Sequence, residues 1–266
     1  MHATPDPTDA TALWAVILAG GDGTRLRALT RRITGDERPK QFCPIADGET
    51  LLEHTRRRAD IAVRPDRQVV VVTRAHARYY ADLQRDLLPG RLVVQPGNRG
   101  TLPGILYPLL RVQDLAGDPV VVVLPSDHHV DEDRAFMDHV RQAATLAVLH
   151  PDRVVILGIE AEAPETEYGW VEPRGVPLGL EGPLAFAIDR FVEKPAPPLA
   201  QALLERGAFW NSFVMVGRAG AFLDLVREAA PTVYRLFRGL RRALATRREE
   251  SAADRVFRET APAGFS

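Results

Sequence analysis

The stretch that most constrains this chain runs from Trp14 to Pro44. An apolar run, Trp14 to Ala19, is followed at once by Gly20-Gly21-Asp22-Gly23-Thr24-Arg25. An apolar run of that length bounded by glycine has the dimensions of one buried strand. Glycine adopts backbone geometries closed to other residues and lets a ligand approach the main chain. Strand, Gly-rich loop and helix start are the arrangement by which α/β proteins turn backbone N–H groups onto phosphates. Arg25 adds a fixed charge with fork geometry. Lys40 follows in Arg38-Pro39-Lys40-Gln41-Phe42, where Pro39 stiffens the approach. The residues alone leave a second reading open, in which the glycines only make a tight turn.

Two phosphate motifs are excluded. No Lys-Ser or Lys-Thr follows the glycines, so there is no GxxxxGK[ST]. Counted from Gly21 and Gly23, the third position of GxGxxG falls on Leu26. Gly-Gly-Asp-Gly-Thr also occurs in lipid and NAD kinases. There it would be misplaced so near the N-terminus, and Arg25-Leu26 and Pro39 to Phe42 would have no role.

At 266 residues the chain allows one large α/β domain or two small ones. A net charge of −1 gives no argument for nucleic acid or a membrane surface. Cys43 is the only cysteine, which rules out an internal disulfide and a Cys-based zinc site. Residues 1–12 are polar and Pro-rich with no apolar h-region. They read as a disordered tail rather than a signal peptide. No apolar run approaches the ~20 residues of a membrane span, and the expected location is the cytoplasm. Of 34 basic residues only two are lysines, Lys40 and Lys194. A compact, movable ammonium suits a phosphate oxygen in a crowded site where a planar guanidinium does not fit.

The pattern along the chain predicts strands at Gln68 to Thr73, Arg91 to Gln95, Pro119 to Leu124, Arg153 to Ile159, Leu184 to Val192 and Ser212 to Val216. It predicts helices at Thr50 to Ala59, with Thr50 and Glu53 at capping-box spacing, and at Ala75 to Leu88. Further helices are expected at Leu102 to Leu115 with Thr101 as N-cap, Asp133 to His150, Pro195 to Arg206 and Ala219 to Glu228. Residues 160–184 read as loop plus a short edge strand, and Pro231 to Arg258 as Arg-rich and mostly helical. Alternating strands and helices imply a mainly parallel central sheet with helices on both faces, an α/β Rossmann-like fold. Its ligand site should lie beyond the carboxyl ends of the strands. Asp127, in Leu124-Pro125-Ser126-Asp127-His128-His129, stands where carboxylates commonly hold Mg²⁺. It can equally be a turn residue closing the strand. Zinc is disfavoured at His128 and His129, which lack partner cysteines and helical spacing.

AGGDGTRL followed by RPKQF resembles the sugar-1-phosphate nucleotidyltransferases, in particular the bacterial mannose-1-phosphate guanylyltransferases. LPSDH is similar to a segment typical of the mannose-1-phosphate branch. Gln95 to Thr101 resembles the family's nucleotide-base loop, Pro164 to Trp170 its PETGYGY segment, Phe191 to Pro195 its FVEKP, and Trp210 to Ser212 its WNSG. Glu167 and Phe213 stand where the family has glycine. The resemblance implies one nucleotidyltransferase domain over 13–266, transferring a guanylyl group from GTP to mannose 1-phosphate with Mg²⁺. It implies nucleotide binding by Leu18, Ala19, Gly20, Gly21, Gly23, Thr24, Gln95, Asn98, Gly100, Thr101 and Ser126. Arg25, Lys40, Asp127 and Lys194 would be catalytic, with Asp127 on the metal. Gly169, Glu193, Lys194 and Asn211 would bind the sugar phosphate. No nucleic-acid or membrane partner is implied, and a homodimer is left open. The family normally adds a second metal-binding Asp in a GWSD-like segment, and many members a β-helix. The chain ends at Gly264-Phe265-Ser266, so a truncated catalytic domain lacking one metal ligand is expected. Two alternatives stand beside this reading: transfer between another sugar 1-phosphate and NTP, and an impaired nucleotide or NDP-sugar binder.

Overall fold

The computed structural model describes residues 12–46, 48–175, 177 and 185–264, without the side chains of Arg25, Ile45 and Ala46. The expected tail, apart from Ala12, lies outside these residues. So do Leu184, where a strand is expected to begin, and Phe265-Ser266.

The chain opens with β1 (Leu13–Ala19), a 3₁₀ turn and α1 (Arg27–Thr34). A small hairpin, β2 (Pro44–Ala46) and β3 (Glu49–Thr50), leads into α2 (Leu51–Asp60). Then come β4 (Gln68–Thr73), α3 (Ala81–Asp86), β5 (Leu92–Gln95), α4 (Thr101–Ala116), β6 (Val120–Pro125) and α5 (Asp133–Leu149). The later half holds β7 (Val154–Glu160), β8 (Gly169–Arg174), β9 (Ala187–Glu193), α6 (Pro197–Glu205) and β10 (Phe209–Arg218). It closes with α7 (Ala219–Ala229), α8 (Pro231–Leu240) and α9 (Glu249–Glu259).

The first half of the sheet runs β5-β4-β1-β6 with every pairing parallel. Of these strands β4 and β6 are short β-branched runs, and all six residues of β4 are buried, as strands covered on both faces must be. One face carries α4, α7, α8 and α9, packed through Leu106, Phe222, Phe237 and Phe257. The other carries α2 and α5 through Leu52, Met137 and Val140. The second half is antiparallel. β10 pairs with β6 and β8 along one edge and with β7 along the other, and β9 extends the sheet beyond β8. Around Trp170, helix α6 and Ala208 form a separate small core.

The expected capping box is present: Thr50 Oγ1 accepts from the Glu53 amide while the Glu53 carboxylate accepts from the Thr50 amide. Three expectations are corrected. The single helix over 75–88 is a 3₁₀ segment, Arg74–Tyr79, followed by α3. Three residues per turn align His76 with Tyr79, and both rings meet Phe42, edge-on at 6.0 Å and stacked at 5.7 Å. The N-cap of α4 is Gly100 rather than Thr101, with φ of 91°. A Cβ there would lie 2.2 Å from the Ala263 carbonyl oxygen, which accepts the Leu102 amide. The strand within 160–184, β8, is internal and pairs with both β9 and β10.

Candidate active site at the carboxyl ends of the parallel strands

From β1 the chain moves outward through β4 and β5, then returns to place β6 on the other side of β1. Strand order therefore reverses between β1 and β6, where open α/β sheets bind ligands. Ser126 closes that point: its hydroxyl and its amide both donate to the Leu18 carbonyl, at 2.6 and 3.2 Å.

Beyond β1, side chains from three other segments hold the Gly-rich loop. Gln41 donates its amide to the Ala19 and Gly21 carbonyls at 2.9 and 2.8 Å. Thr73, ending β4, donates to the Gly20 carbonyl at 2.6 Å, and the Gln95 amide donates to Thr73 Oγ1 at 2.8 Å. A Cβ on Gly20 would sit 2.3 Å from Gln95 Nε2. Gly23 has φ of 58°, in the left-handed region, and leads into the 3₁₀ turn containing Thr24 and Arg25. Asp22 joins this loop to the next: its carboxylate accepts from Asn98 Nδ2 at 3.1 Å and faces His76 Nε2 at 3.5 Å. Asn98 in turn accepts from the Gly100 amide at 2.9 Å, an Asx turn that shapes the loop before α4. The His76 imidazole is buried, its Nδ1 lacks a hydrogen-bond partner, and desolvation holds its pKa below the usual histidine value.

Asp127 sits just past β6, half-exposed, with Oδ1 3.7 Å from His128 Nε2. The His128 pKa is lowered by burial first. Asp127 opposes that shift, and the Lys40 and Arg58 charges add to it. Lys40 and Asp127 therefore act on the same imidazole with opposite signs.

A second group gathers on the antiparallel half. Lys194, just after β9, has φ of 47° and donates its amide to the Tyr168 carbonyl at 3.1 Å. Its ammonium is 3.2 Å from Glu167 Oε2. Gly169 pairs with Glu193 across β8 and β9. A Cβ on Gly169 would meet Phe191 Cζ and Glu193 Oε2, each at 2.8 Å. Asn211 uses its side-chain oxygen to accept the Phe213 amide at 2.9 Å, inside an irregular stretch of β10. There Phe213 takes φ of 60°, a conformation that favours the glycine usual at this position in the family. Its phenyl ring packs against the main core. Tyr168 lies edge-on to Trp210 at 5.2 Å, beside these residues.

The structure thus sorts the sequence-predicted residues into two groups, one around the β1–β6 crevice and one on β8 to β10. Sequence reasoning missed Gln41, Thr73, Asp22 and His76 as supports of the loop. Gln41 was visible within RPKQF and Thr73 at a strand end. His76 carried no local signal, because its partners Asp22 and Phe42 are 54 and 34 residues away.

An open sheet with a strand-order reversal, two Gly-rich loops tied together there and a lysine nearby defines a nucleotide-handling α/β protein. The model of the nucleotidyl transferase family matches residues 14–250, and the chain belongs to that family. It is 36% identical over 223 residues to xanthan biosynthesis protein XanB of Xanthomonas campestris pv. campestris, an alignment covering 82% of this chain and 44% of that one. It is 33% identical over 228 residues to mannose-1-phosphate guanylyltransferase ManC of Salmonella typhimurium, covering 84% and 46%. The chain spans less than half the length of these relatives. Among solved structures, a Thermus thermophilus protein described as mannose-1-phosphate geranyltransferase superposes with a TM-score of 0.76 at 27% identity. That match covers 95% of this chain and 69% of the other.

Proposed function

We propose that this protein transfers a guanylyl group from GTP to mannose 1-phosphate, giving GDP-mannose and pyrophosphate. The observation that carries the reading is the tie between the two Gly-rich loops at the strand-order reversal, Asp22 to Asn98 and Gly20 to Thr73 and Gln95. Similarity to ManC supports the choice of substrates.

A phosphate monoester has a second pKa near ~6, so the sugar phosphate is already ionised at neutral pH and needs no general base. Its oxygen forms the new bond to the α-phosphorus of GTP. The bond from that phosphorus to the bridging β-oxygen breaks, and pyrophosphate leaves with the electron pair. The protein's task is alignment and neutralisation. The amides of Gly20, Gly21, Gly23 and Thr24, with Arg25, hold the triphosphate and the leaving pyrophosphate. Leu18, Ala19 and Ser126 form the crevice floor. Gln95, Asn98, Gly100 and Thr101 face the base, and Lys40 neutralises the α-phosphoryl group. Glu193 accepts from sugar hydroxyls and Lys194 binds the sugar phosphate. With its oxygen engaged by the Phe213 amide, Asn211 presents its two N–H donors to the sugar.

Mg²⁺ fits the donor chemistry of Asp127, a half-exposed carboxylate at a strand end. Among the described residues no three His, Cys, Asp or Glu side chains gather into a metal site. Magnesium usually takes one or two carboxylates and completes its shell with water and phosphate oxygens. Asp127 would hold it together with the nucleotide, and the bound ion would supply charge neutralisation on the phosphates.

The test is a panel in which GTP is exchanged for the other nucleoside triphosphates and mannose 1-phosphate for other hexose 1-phosphates, with product identified by mass. GDP-mannose as the dominant product supports the proposal. Preference for another pair reassigns the substrates, and nucleotide binding without turnover by any pair contradicts transfer.

A further inference from the structure

Glu167 stands where the PETGYGY segment that this stretch resembles has glycine, and the structure places its carboxylate 3.2 Å from the Lys194 ammonium. We propose that Glu167 is an internal competitor for the sugar-phosphate subsite: its carboxylate holds Lys194 in the ligand-free protein, and an incoming phosphomonoester dianion displaces it. The inference rests on the reading of Lys194 as the sugar-phosphate ligand.

The pair is set by the backbone. Lys194 donates its amide to the Tyr168 carbonyl, and Gly169 faces Glu193 across the β8–β9 ladder. That register puts Tyr168 opposite Lys194 where the ladder ends, and Glu167 one residue further on, diagonal to Lys194 and within side-chain reach of its ammonium. Lys194 holds a left-handed φ of 47°, which is uncommon for a long side chain and persists where surrounding structure imposes it. It is also one of only two lysines in the chain.

Both partners reach solvent, Lys194 at 36% and Glu167 at 69% side-chain exposure, so a ligand can approach the ammonium directly. Carboxylate and phosphate oxygens are the same kind of acceptor for an ammonium. A phosphate dianion arriving at Lys194 also meets the Glu167 charge as a like charge. An ion pair this exposed is weak, so it lowers sugar-phosphate affinity without closing the subsite.

The experiment compares KM for mannose 1-phosphate in the wild type, Glu167→Gln and Glu167→Gly. The second variant is included because glutamine can keep a hydrogen bond to Lys194. Both variants should lower that KM by about two- to fivefold, with KM for GTP unmoved. The gap should narrow at about 0.5 M salt, where exposed pairs are screened. An unchanged KM in both variants overturns the proposal. A raised KM also overturns it and makes Glu167 a ligand of the sugar. If the wild type makes no product, the reading of the reaction fails separately. The same three proteins are then titrated with mannose 1-phosphate by calorimetry. Tighter binding in the variants supports competition, and equal, weaker or absent binding overturns it.

Discussion

At Gly20 the absence of a side chain is a packing requirement. A Cβ would fall 2.3 Å from Gln95 Nε2 and 3.3 Å from Thr73 Oγ1. The Gln95 amide is buried and bonded to Thr73, so withdrawing it would break that hydrogen bond. Gly20→Ala should cost about 1–3 kcal/mol, the usual range for forcing extra volume into a packed site. A urea melt reads this, and a variant as stable as the wild type would contradict the geometry. His76 gives a pH dependence. Burial lowers its pKa in the fold, whereas the unfolded imidazole takes up a proton below about pH 6.5. Below that pH the unfolded chain binds more protons, so stability falls on acidification. His76→Phe keeps a ring beside Phe42 and removes that titration. Its urea midpoint should fall less than the wild type's between about pH 7.5 and about pH 5.5; parallel falls would contradict it. His128 shifts in the same direction and keeps part of the slope. Arg25, Lys40, Asp127 and Lys194 could be singled out as candidates because each lies inside a short motif. His76 was not, because its environment is assembled from Phe42 and Asp22.

Elements were legible where local pattern and tertiary packing agree. Strand β4 and the capped start of α2 follow from Gln68 to Thr73 and from Thr50 with Glu53. They were misread where packing overrides pattern. The 3₁₀ segment Arg74–Tyr79 exists to align two rings on Phe42, and Gly100 caps α4 because the Ala263 backbone fills the adjacent space. Strand β10 shows both effects. Its ends pair regularly, but between Asn211 and Met215 the register shifts, and Phe213 sits there with φ of 60°. A left-handed phenylalanine costs roughly 1–2 kcal/mol, offset by the contacts of its ring with the core. Phe213→Ala loses the ring and keeps the backbone cost. Phe213→Gly loses the ring and relieves it. Glycine should therefore be the more stable variant by about 1 kcal/mol, an order that thermal melts of the two proteins can check. Alanine melting higher would show that the strand relaxes into another conformation.

The whole molecule divides the work between the two kinds of sheet. The parallel half, β5-β4-β1-β6, ends in the two Gly-rich loops, Lys40 and Asp127. The antiparallel half, β8 to β10, carries Glu193, Lys194 and Asn211. The alternation of strands and helices announced the first half, and short motifs announced the second without fixing its antiparallel pairing. None of the helices among the described residues is long and apolar enough to cross a membrane. The central claim is that the two groups serve one displacement at the α-phosphorus of GTP. Its most direct test is pyrophosphate release in the presence of GTP, mannose 1-phosphate and Mg²⁺, with Lys40→Ala as control. Release that requires both substrates and falls by about 10²-fold or more without the Lys40 charge is the predicted result. Release from GTP alone, or release indifferent to Lys40, would contradict it.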